Sequence, residues 1–392
     1  MSDTVIVEEK SAQATEILEG SDADAWLTFC RETVEIAEPC LPFVLGFDVV
    51  WPTMVLYTED GSHVIIGRHD APNARDLGVH EVHPYDESLR EPFMEILDDV
   101  EPETIAVNFS EDNNTADGLT YGMYRRLTGL LEGTDYEGSL VSADPVVAEL
   151  RGVKSPTERE RIVTAAETSA ELLASMTESW EPDWTEADTC DWLHGHMTDR
   201  GLGSAWSWDY CPTVHHGAES DLGHTLPGDL TLPEGEVLHI DFGVNEDGYA
   251  ADMQRLYYHG EAEEIPDELV DAFADVRGAI EAGRELVEPG VQGYKADDAA
   301  REYLTEQGWE EYQHALGHQV GRNAHDGGTL LGPRWERYGE SPMAEIREGE
   351  IYTVELGVDT EWGYLGLEEM VEVTEEGNEY IIPPQRELRT IS

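Results

Sequence analysis

The stretch DFGVNEDGYAAD, residues 241–252, is repeated in outline 114 residues later as ELGVDTEWGYLGLE, residues 355–368. Each stretch begins and ends with an acidic residue and contains a Gly-Tyr pair that follows a turn-forming sequence. A turn of this kind between two strand-like segments is typical of a β-hairpin. The repeat therefore predicts two related hairpins, one in each half of a domain folded about a pseudo-twofold axis.

The predicted hairpins bring acidic side chains together. A turn through residues 245–248 would place the two acids of the first hairpin directly opposite each other, with Cβ atoms about 5 Å apart. A turn through residues 360–363 would do the same for the second hairpin. Each hairpin thus delivers two carboxylates to a common centre, and the four residues are Asp241, Asp252, Glu355 and Glu368.

The first acid of each hairpin follows an apolar run, residues 237–240 in one case and 351–354 in the other. Such runs are buried, and a buried carboxylate must be paired, protonated or bound to a metal. His318, in the stretch ALGHQVG, adds an imidazole to the set. Oxygen ligands with one imidazole suit two divalent first-row ions (manganese, cobalt, iron or zinc) better than a thiolate-binding metal.

The composition is strongly acidic. The 392 residues include 85 Asp and Glu against 23 Lys and Arg, which gives a formal net charge of −62. The chain also has 40% hydrophobic residues and ten Trp, so we expect a packed globule and not a disordered polyanion. Molar salt shortens the Debye length to about 3 Å and would screen the self-repulsion. The charge therefore predicts a protein from a halophile and argues against nucleic acid or membrane partners.

Cysteine usage and the N-terminus favour a cytoplasmic location. The four cysteines are scattered without a CxxC motif, which indicates reduced structural residues and neither a disulfide framework nor a zinc ribbon. The first ten residues lack a basic leader followed by an apolar core, and the chain has no run of 18 apolar residues.

The length predicts two domains. Residues 1–150 alternate strand-like and helical segments, including a hairpin across the turn at 59–61, and read as a small α/β domain. The stretch SPTE at 155–158 is a capping box with proline at the first helical position, and it opens a long helix. Residues 151–392 then mix helices with the strands of the two hairpins, which predicts an α+β domain.

The order Asp, Asp, His, Glu, Glu in these local motifs resembles the methionine aminopeptidase, prolidase and aminopeptidase P family. The resemblance covers roughly residues 151–392 and implies the pita-bread catalytic fold with pseudo-twofold halves. The shorter segment before it, residues 1–150, resembles the creatinase-type N-terminal α/β domain of the proline-specific branch.

The resemblance also implies a set of metal ligands. By motif position, one residue resembles the family's terminal chelating ligand, and two others resemble its bridging ligands. The remaining two complete the shell of the second ion. In that order, the residues are Asp241, then Asp252 and Glu368, then His318 and Glu355.

Further roles follow from the resemblance. A metal-bridging water would attack the scissile carbonyl, with Glu355 as the proton shuttle, and His224 and His325 would donate hydrogen bonds to the substrate. Arg255 matches an arginine common in the proline-specific branch, and we expect it to hold ligand carboxylates. Glu369, next to Glu368, is excluded as a ligand by its position in the motif.

The implied function is cleavage of short peptides by an Xaa-Pro aminopeptidase or Xaa-Pro dipeptidase, acting as a homodimer. The arginine that proline-specific members often place two residues before the bridging glutamate is Gly366 here. This departure keeps open the hydrolysis of a non-peptide C–N bond, as in creatinase or ectoine hydrolase, beside the less favoured possibility of a non-catalytic binding module. No family role is assigned to four further histidines, at positions 194, 196, 215 and 216.

Overall fold

The structure, a computed structural model, describes residues 3–223 and 225–392. The predicted substrate contact His224 therefore lies outside the described residues. The chain forms two compact units, residues 1–151 and 152–392.

The first unit is an α/β unit around one six-stranded sheet with strand order β4-β3-β2-β1-β5-β6. Its strands are β1 (Ala25–Cys30), β2 (Thr53–Thr58), β3 (Gly61–Gly67), β4 (Glu81–Tyr85), β5 (Ile105–Val107) and β6 (Leu140–Ser142). Its helices are α1 (Thr4–Glu19), α2 (Leu41–Val44), α3 (Ala71–Leu77), α4 (Arg90–Val100), α5 (Tyr121–Leu131) and α6 (Asp144–Gly152), which ends at the first residue of the second unit.

The central strands of this sheet are buried along their whole length. All six residues of β1 and all six of β2 are buried, as expected for strands covered on both faces. The predicted hairpin between β2 and β3 is confirmed, since Thr58 pairs with Gly61 across a two-residue turn. Helix α1 was not anticipated by the sequence analysis.

The second unit is built on a seven-stranded sheet and a three-stranded sheet. Its strands are β7 (Gly203–Ser204), β8 (Thr213–His216), β9 (Val237–Phe242), β10 (Val244–Glu246), β11 (Tyr249–Ala250), β12 (Met253–His259), β13 (Ile351–Thr360), β14 (Gly363–Thr374), β15 (Gly377–Tyr380) and β16 (Arg389–Ile391). The large sheet runs in the order β13-β14-β12-β9-β8, with β15 beside β14 and β16 beside β12, and the small sheet in the order β11-β10-β7.

In the described part of the second unit, four α-helices accompany these strands, namely α7 (Pro156–Ser179), α8 (Glu186–Arg200), α9 (Asp267–Arg284) and α10 (Gly293–Glu306). The predicted capping box of α7 is present, because the Ser155 side chain accepts from the Glu158 backbone and the Glu158 side chain accepts from the Ser155 backbone. A second capping box, between Thr185 and Asp188, starts α8 and had not been predicted. Such caps stabilise a helix by about 1 kcal/mol.

One face of β13 packs in the apolar core, and the other face carries Glu355, one of the predicted metal ligands. Val354, Leu356 and Val358 join the core that also contains Phe273 and Val276 of α9. Each large apolar side chain buried in this way contributes about 1.5–3 kcal/mol. Because side chains alternate along a strand, Glu355 points to the opposite face.

The register of the second hairpin is confirmed, whereas that of the first hairpin was predicted wrongly. Glu355 pairs with Glu368 across β13 and β14, as expected. In the first hairpin, however, Asp241 lies opposite Gln254 and not opposite Asp252.

The physical reason for the altered register is the turn. Asp247 and Gly248 both have positive φ, at 49° and 80°, and close a two-residue hairpin loop with Glu246 paired to Tyr249. Asp-Gly is a preferred sequence for a loop of this type. The turn therefore lies at residues 246–249, one residue later than the predicted 245–248, and this displacement shifts the partner of Asp241 by two residues, so the same side chains stay on the same face.

All four cysteines are free and buried, in agreement with structural roles. Within the described ranges, no helix combines the length and the apolar character needed to span a membrane.

Candidate metal centre

Four acidic side chains and one histidine converge at the face of the large sheet that lies opposite α9. The Nε2 atom of His318 lies 3.8 Å from Asp252 Oδ2, 3.8 Å from Glu355 Oε1 and 3.8 Å from Glu368 Oε1. Asp252 comes from the end of the first hairpin, and the two glutamates come from the second. The five predicted ligands are therefore brought together, with Asp241 next to Asp252.

Asp241 is held in the same cluster. Its pairing with Gln254 on β12 places it beside the other acids. Its Oδ1 atom is buried and has no hydrogen-bond partner among the described residues. A buried carboxylate oxygen without a donor is costly unless a cation completes its environment.

The cluster strongly perturbs its own ionisation. Burial raises the pKa of all four carboxyl groups, and repulsion between the acids raises the pKa further at Asp252, Glu355 and Glu368. Burial lowers the pKa of His318 to about 3, so its imidazole is neutral at physiological pH. Neutral imidazole is the form that binds metals.

These residues fit a divalent metal centre. Four carboxylates this close cannot all ionise unless positive charge is supplied, and two dications would balance their charge. Carboxylate oxygens with one neutral imidazole match the ligand preferences of first-row divalent ions. The unpartnered Asp241 oxygen offers a further ligand atom.

A buried polar chain supports two of the acids. Gln254 Nε2 donates to Glu355 Oε2 at 2.8 Å and to Glu368 Oε2 at 3.2 Å. Its Oε1 atom lies 2.9 Å from His239 Nε2, and His239 Nδ1 lies 3.0 Å from His215 Nδ1. Burial lowers the pKa of His239 to about 3, which leaves this ring neutral and able to donate to Gln254.

Sequence reasoning missed Gln254 and His239. One signal was available for Gln254: it follows Asp252, which directly precedes β12, by two residues, and residues at that spacing in extended chain point to the same face. His239 lies two residues before Asp241 and was available on the same ground. His215 had been noted without a role, and the structure places it at the end of this row of hydrogen-bonded side chains, next to His239.

Gly366 leaves room for the hydrogen-bonded side chains of Gln254 and His239. A Cβ atom at this position would lie 2.4 Å from Gln254 Oε1 and 2.6 Å from His239 Nε2. The space next to the bridging position is thus filled by Gln254 and His239. This packing gives a physical account of why a side chain as large as arginine is not found at residue 366.

Arg255 has a different role from the one predicted. Its Nη2 atom donates to Glu369 Oε2 at 2.9 Å, and its Nη1 atom donates to the backbone carbonyls of Gln254 and Glu368. The expectation that Arg255 holds ligand carboxylates was wrong, because neighbouring residues on a strand point to opposite faces. Arg255 and Glu369 form a buried ion pair on the face away from the cluster, which agrees with the exclusion of Glu369 as a ligand.

The other predicted histidines lie at the edge of the site or outside it. The exposed ring of His325 packs against His318 with ring centroids 4.0 Å apart. His194 and His216 lie within hydrogen-bond distance of the backbone carbonyls of Cys211 and Leu230, and His196 contacts that of Trp192. These three contacts are structural.

Comparison with known proteins agrees with the geometry. The sequence profile of metallopeptidase family M24 matches residues 160–375, more than half of the chain. An uncharacterized peptidase of Bacillus subtilis, YqhT, is 26% identical over 272 residues, which cover 69% of this chain and 72% of the relative. The Xaa-Pro dipeptidase of Pyrococcus furiosus is 26% identical over 248 residues, or 62% of this chain and 67% of the relative.

The fold comparison extends over both units. The crystal structure of the X-Pro aminopeptidase from Thermotoga maritima superimposes with a TM-score of 0.74 and 25% identity, covering 96% of this chain and 99% of that one. The likeness confirms the predicted fold class, an α+β pita-bread unit preceded by a smaller α/β unit.

Proposed function

Because this chain belongs to metallopeptidase family M24, we propose that it is an exopeptidase that cleaves short peptides at Xaa-Pro bonds, as an Xaa-Pro dipeptidase or an Xaa-Pro aminopeptidase. The enzyme class is that of a metal-dependent peptidase. The single observation that carries the proposal is the convergence of three carboxylates, each 3.8 Å from one neutral imidazole nitrogen, beside a fourth carboxylate with an unpartnered oxygen.

We propose that two divalent ions bind in this cluster. Asp241 would chelate one ion, and Asp252 and Glu368 would bridge the pair. His318 and Glu355 would complete the set of ligands around the other ion. When bound, such ions polarise a carbonyl group and lower the pKa of water toward neutrality. Manganese, cobalt, iron and zinc all suit this donor set.

The remaining proposed roles are proton transfer and hydrogen bonding to the substrate. Glu355, which faces His318 and accepts from Gln254, takes the proton from the attacking water and passes it to the departing amine. His325, exposed beside His318, donates a hydrogen bond to the substrate carbonyl. We assign the same kind of role to His224 on the basis of its sequence motif alone.

Other parts of the proposal rest on composition or on relatives. We propose that the first unit is the creatinase-type N-terminal domain and that the enzyme is a homodimer. The cytoplasmic location and the adaptation to salt stay predictions from the cysteine pattern, the N-terminal sequence and the net charge of −62. The named relatives and structures are peptidases, which does not favour hydrolysis of a non-peptide C–N bond.

The test is a matched peptide panel. The purified chain in molar KCl, stripped with a chelator and reloaded with Mn²⁺ or Co²⁺, is offered Ala-Pro, Ala-Ala, Ala-Pro-Ala and Ala-Ala-Ala, and products are separated by chromatography. We expect cleavage only of the proline-containing peptides, and loss of turnover on renewed chelation. Cleavage of the dipeptide alone identifies a dipeptidase, and cleavage of the tripeptide identifies an aminopeptidase.

Two variants complete the design. Glu355→Gln should lower kcat by about 10²–10⁴-fold, the range typical of a lost general acid–base group. Glu379→Gln, which removes an exposed carboxylate on β15, should leave turnover unchanged. A chain that holds metal and cleaves none of the peptides would refute the proposed function.

A further inference from the structure

A second group of potential metal ligands lies in the first unit, on the edge of its sheet. His63 on β3 is paired with Glu81 on β4, and His83 follows Glu81 by two residues on the same strand. The strands are parallel, and β4 is an edge strand of the sheet. The alternation of side chains along β4 points Glu81 and His83 to one face.

The ligand atoms of these three residues converge. His63 Nδ1 lies 3.2 Å from His83 Nε2 and 3.7 Å from Glu81 Oε2, and His83 Nε2 lies 3.8 Å from Glu81 Oε1. Ligands about 2.0–2.1 Å from a tetrahedral Zn²⁺ are roughly 3.4 Å apart. The observed spacings bracket this value.

The spacing also matches the candidate metal centre of the second unit. There the imidazole nitrogen lies 3.8 Å from each of three carboxylate oxygens, whereas here the two imidazole-to-carboxylate distances are 3.7 and 3.8 Å. The imidazole-to-carboxylate distances of the two clusters thus agree, although the clusters lie on different sheets.

We propose that His63, Glu81 and His83 form a binding site for a borderline divalent transition-metal ion of the Zn²⁺ class. Two imidazoles and one carboxylate favour zinc, copper, nickel or cobalt over Mg²⁺ and Ca²⁺, which prefer oxygen ligands. The three protein ligands leave one coordination position for solvent.

The surroundings favour such an ion. The two histidine side chains are about a quarter exposed, at 22% and 24%, so solvent can reach the site while most of each ring is packed. The net charge of −62 raises the local concentration of cations around the whole molecule.

The expected consequence is mechanical. An ion bound to both strands would pin the edge strand β4 to β3, which are joined in the chain only through the crossover that contains α3. Edge strands are otherwise held on one side alone. The site shares no residue with the candidate metal centre, because its three residues belong to the first unit.

The first experiment counts bound metal in the full-length chain. Metal-stripped wild type, the double variant His63→Ala/His83→Ala and the control His69→Ala are dialysed to equilibrium against buffered Zn²⁺ in molar KCl, and zinc is measured by mass spectrometry. His69 is exposed and lies outside the cluster. The wild type and His69→Ala should each bind one Zn²⁺ more per chain than the double variant.

This comparison cancels the zinc bound by the peptidase centre and by surface carboxylates, because all three proteins share them. Equal zinc content in the three proteins would overturn the proposal. Peptidase turnover of the double variant reports separately on the second unit, so failure of one proposal does not imply failure of the other.

A second experiment needs no variant and covers the case in which the double variant does not fold. The native chain is treated with diethyl pyrocarbonate with and without Zn²⁺, and modified histidines are mapped by peptide mass spectrometry. Zinc should protect His63 and His83 and leave His69 reactive. Equal modification of His63 and His83 with and without zinc would rule out the site.

Discussion

Replacing Gln254 by Ala should weaken metal binding at the peptidase centre without removing any proposed ligand. Gln254 is buried and donates to Glu355 at 2.8 Å and to Glu368 at 3.2 Å, while His239 fixes its side-chain orientation from the other side. The alanine variant leaves both carboxylates without this shared donor, so their orientation toward the ion is no longer enforced.

The magnitude follows from the two lost hydrogen bonds. Removal of a group that orients metal ligands typically costs about 10–100-fold in metal affinity, which corresponds to roughly 1.4–2.7 kcal/mol. We expect the dissociation constant for Co²⁺ to rise by that factor, as measured in molar KCl by competition with a chromophoric chelator.

Gln385 provides a matched control. It is another buried glutamine, and its side chain bonds the backbone of Leu256 at 3.0 and 2.7 Å and the backbone of Glu387 at 3.1 Å. Gln385→Ala should lower the free energy of unfolding by about 1–3 kcal/mol and leave metal affinity unchanged. The reasoning is refuted if both variants weaken Co²⁺ binding to the same extent, or if Gln254→Ala leaves it at the wild-type value.

Three further perturbations are expected to have defined effects. Gly366→Ala forces a Cβ atom against Gln254 and His239, and it should destabilise the fold by about 1–3 kcal/mol and weaken Co²⁺ binding. If both variants act by disturbing the Gln254 side chain, their effects on Co²⁺ binding should be non-additive in a double-mutant cycle. Burial raises the pKa of Glu38 to about 7, so between about pH 4.5 and about pH 7 the native state holds a proton that the unfolded state has lost. The free energy of unfolding therefore falls as pH rises through that window, and Glu38→Gln should remove about 3 kcal/mol of this loss. Denaturation curves of the two proteins with equal pH dependence would contradict the assignment. Transfer from molar to about 0.1 M KCl lengthens the Debye length from about 3 to about 10 Å and should lower the melting temperature by unscreened repulsion, whereas an unchanged melting temperature would remove the argument for salt adaptation.

Local sequence patterns were sufficient wherever neighbouring residues decide the outcome. The capping box at Ser155 and Glu158 predicts the start of α7 correctly because its hydrogen bonds join residues three apart. The pairing of Glu355 with Glu368 also followed from the turn residues between them. The chemical nature of the site was available for the same reason, since acids that follow apolar strands must be neutralised when buried.

The pairing register of the first hairpin could not be predicted from local sequence, because it depends on the position of the turn. The first hairpin can turn at residues 245–248 or at residues 246–249, and the sequence does not say which of the two it uses. The choice changes the partner of Asp241 from Asp252 to Gln254. Both registers keep the acids on one face, which is why the predicted cluster formed although the predicted pairing did not.

The sequence by itself determined the residue types of the candidate metal centre, its two hairpins and the fold class. Only the tertiary structure decided which groups support the acids, because His215, His239 and Gln254 come from three strands whose order in the sheet is not encoded locally. The same holds for the approach of His63 to His83, which depends on parallel pairing across a crossover. Contacts between strands distant in sequence arise from packing of the whole sheet, and no local pattern reports them.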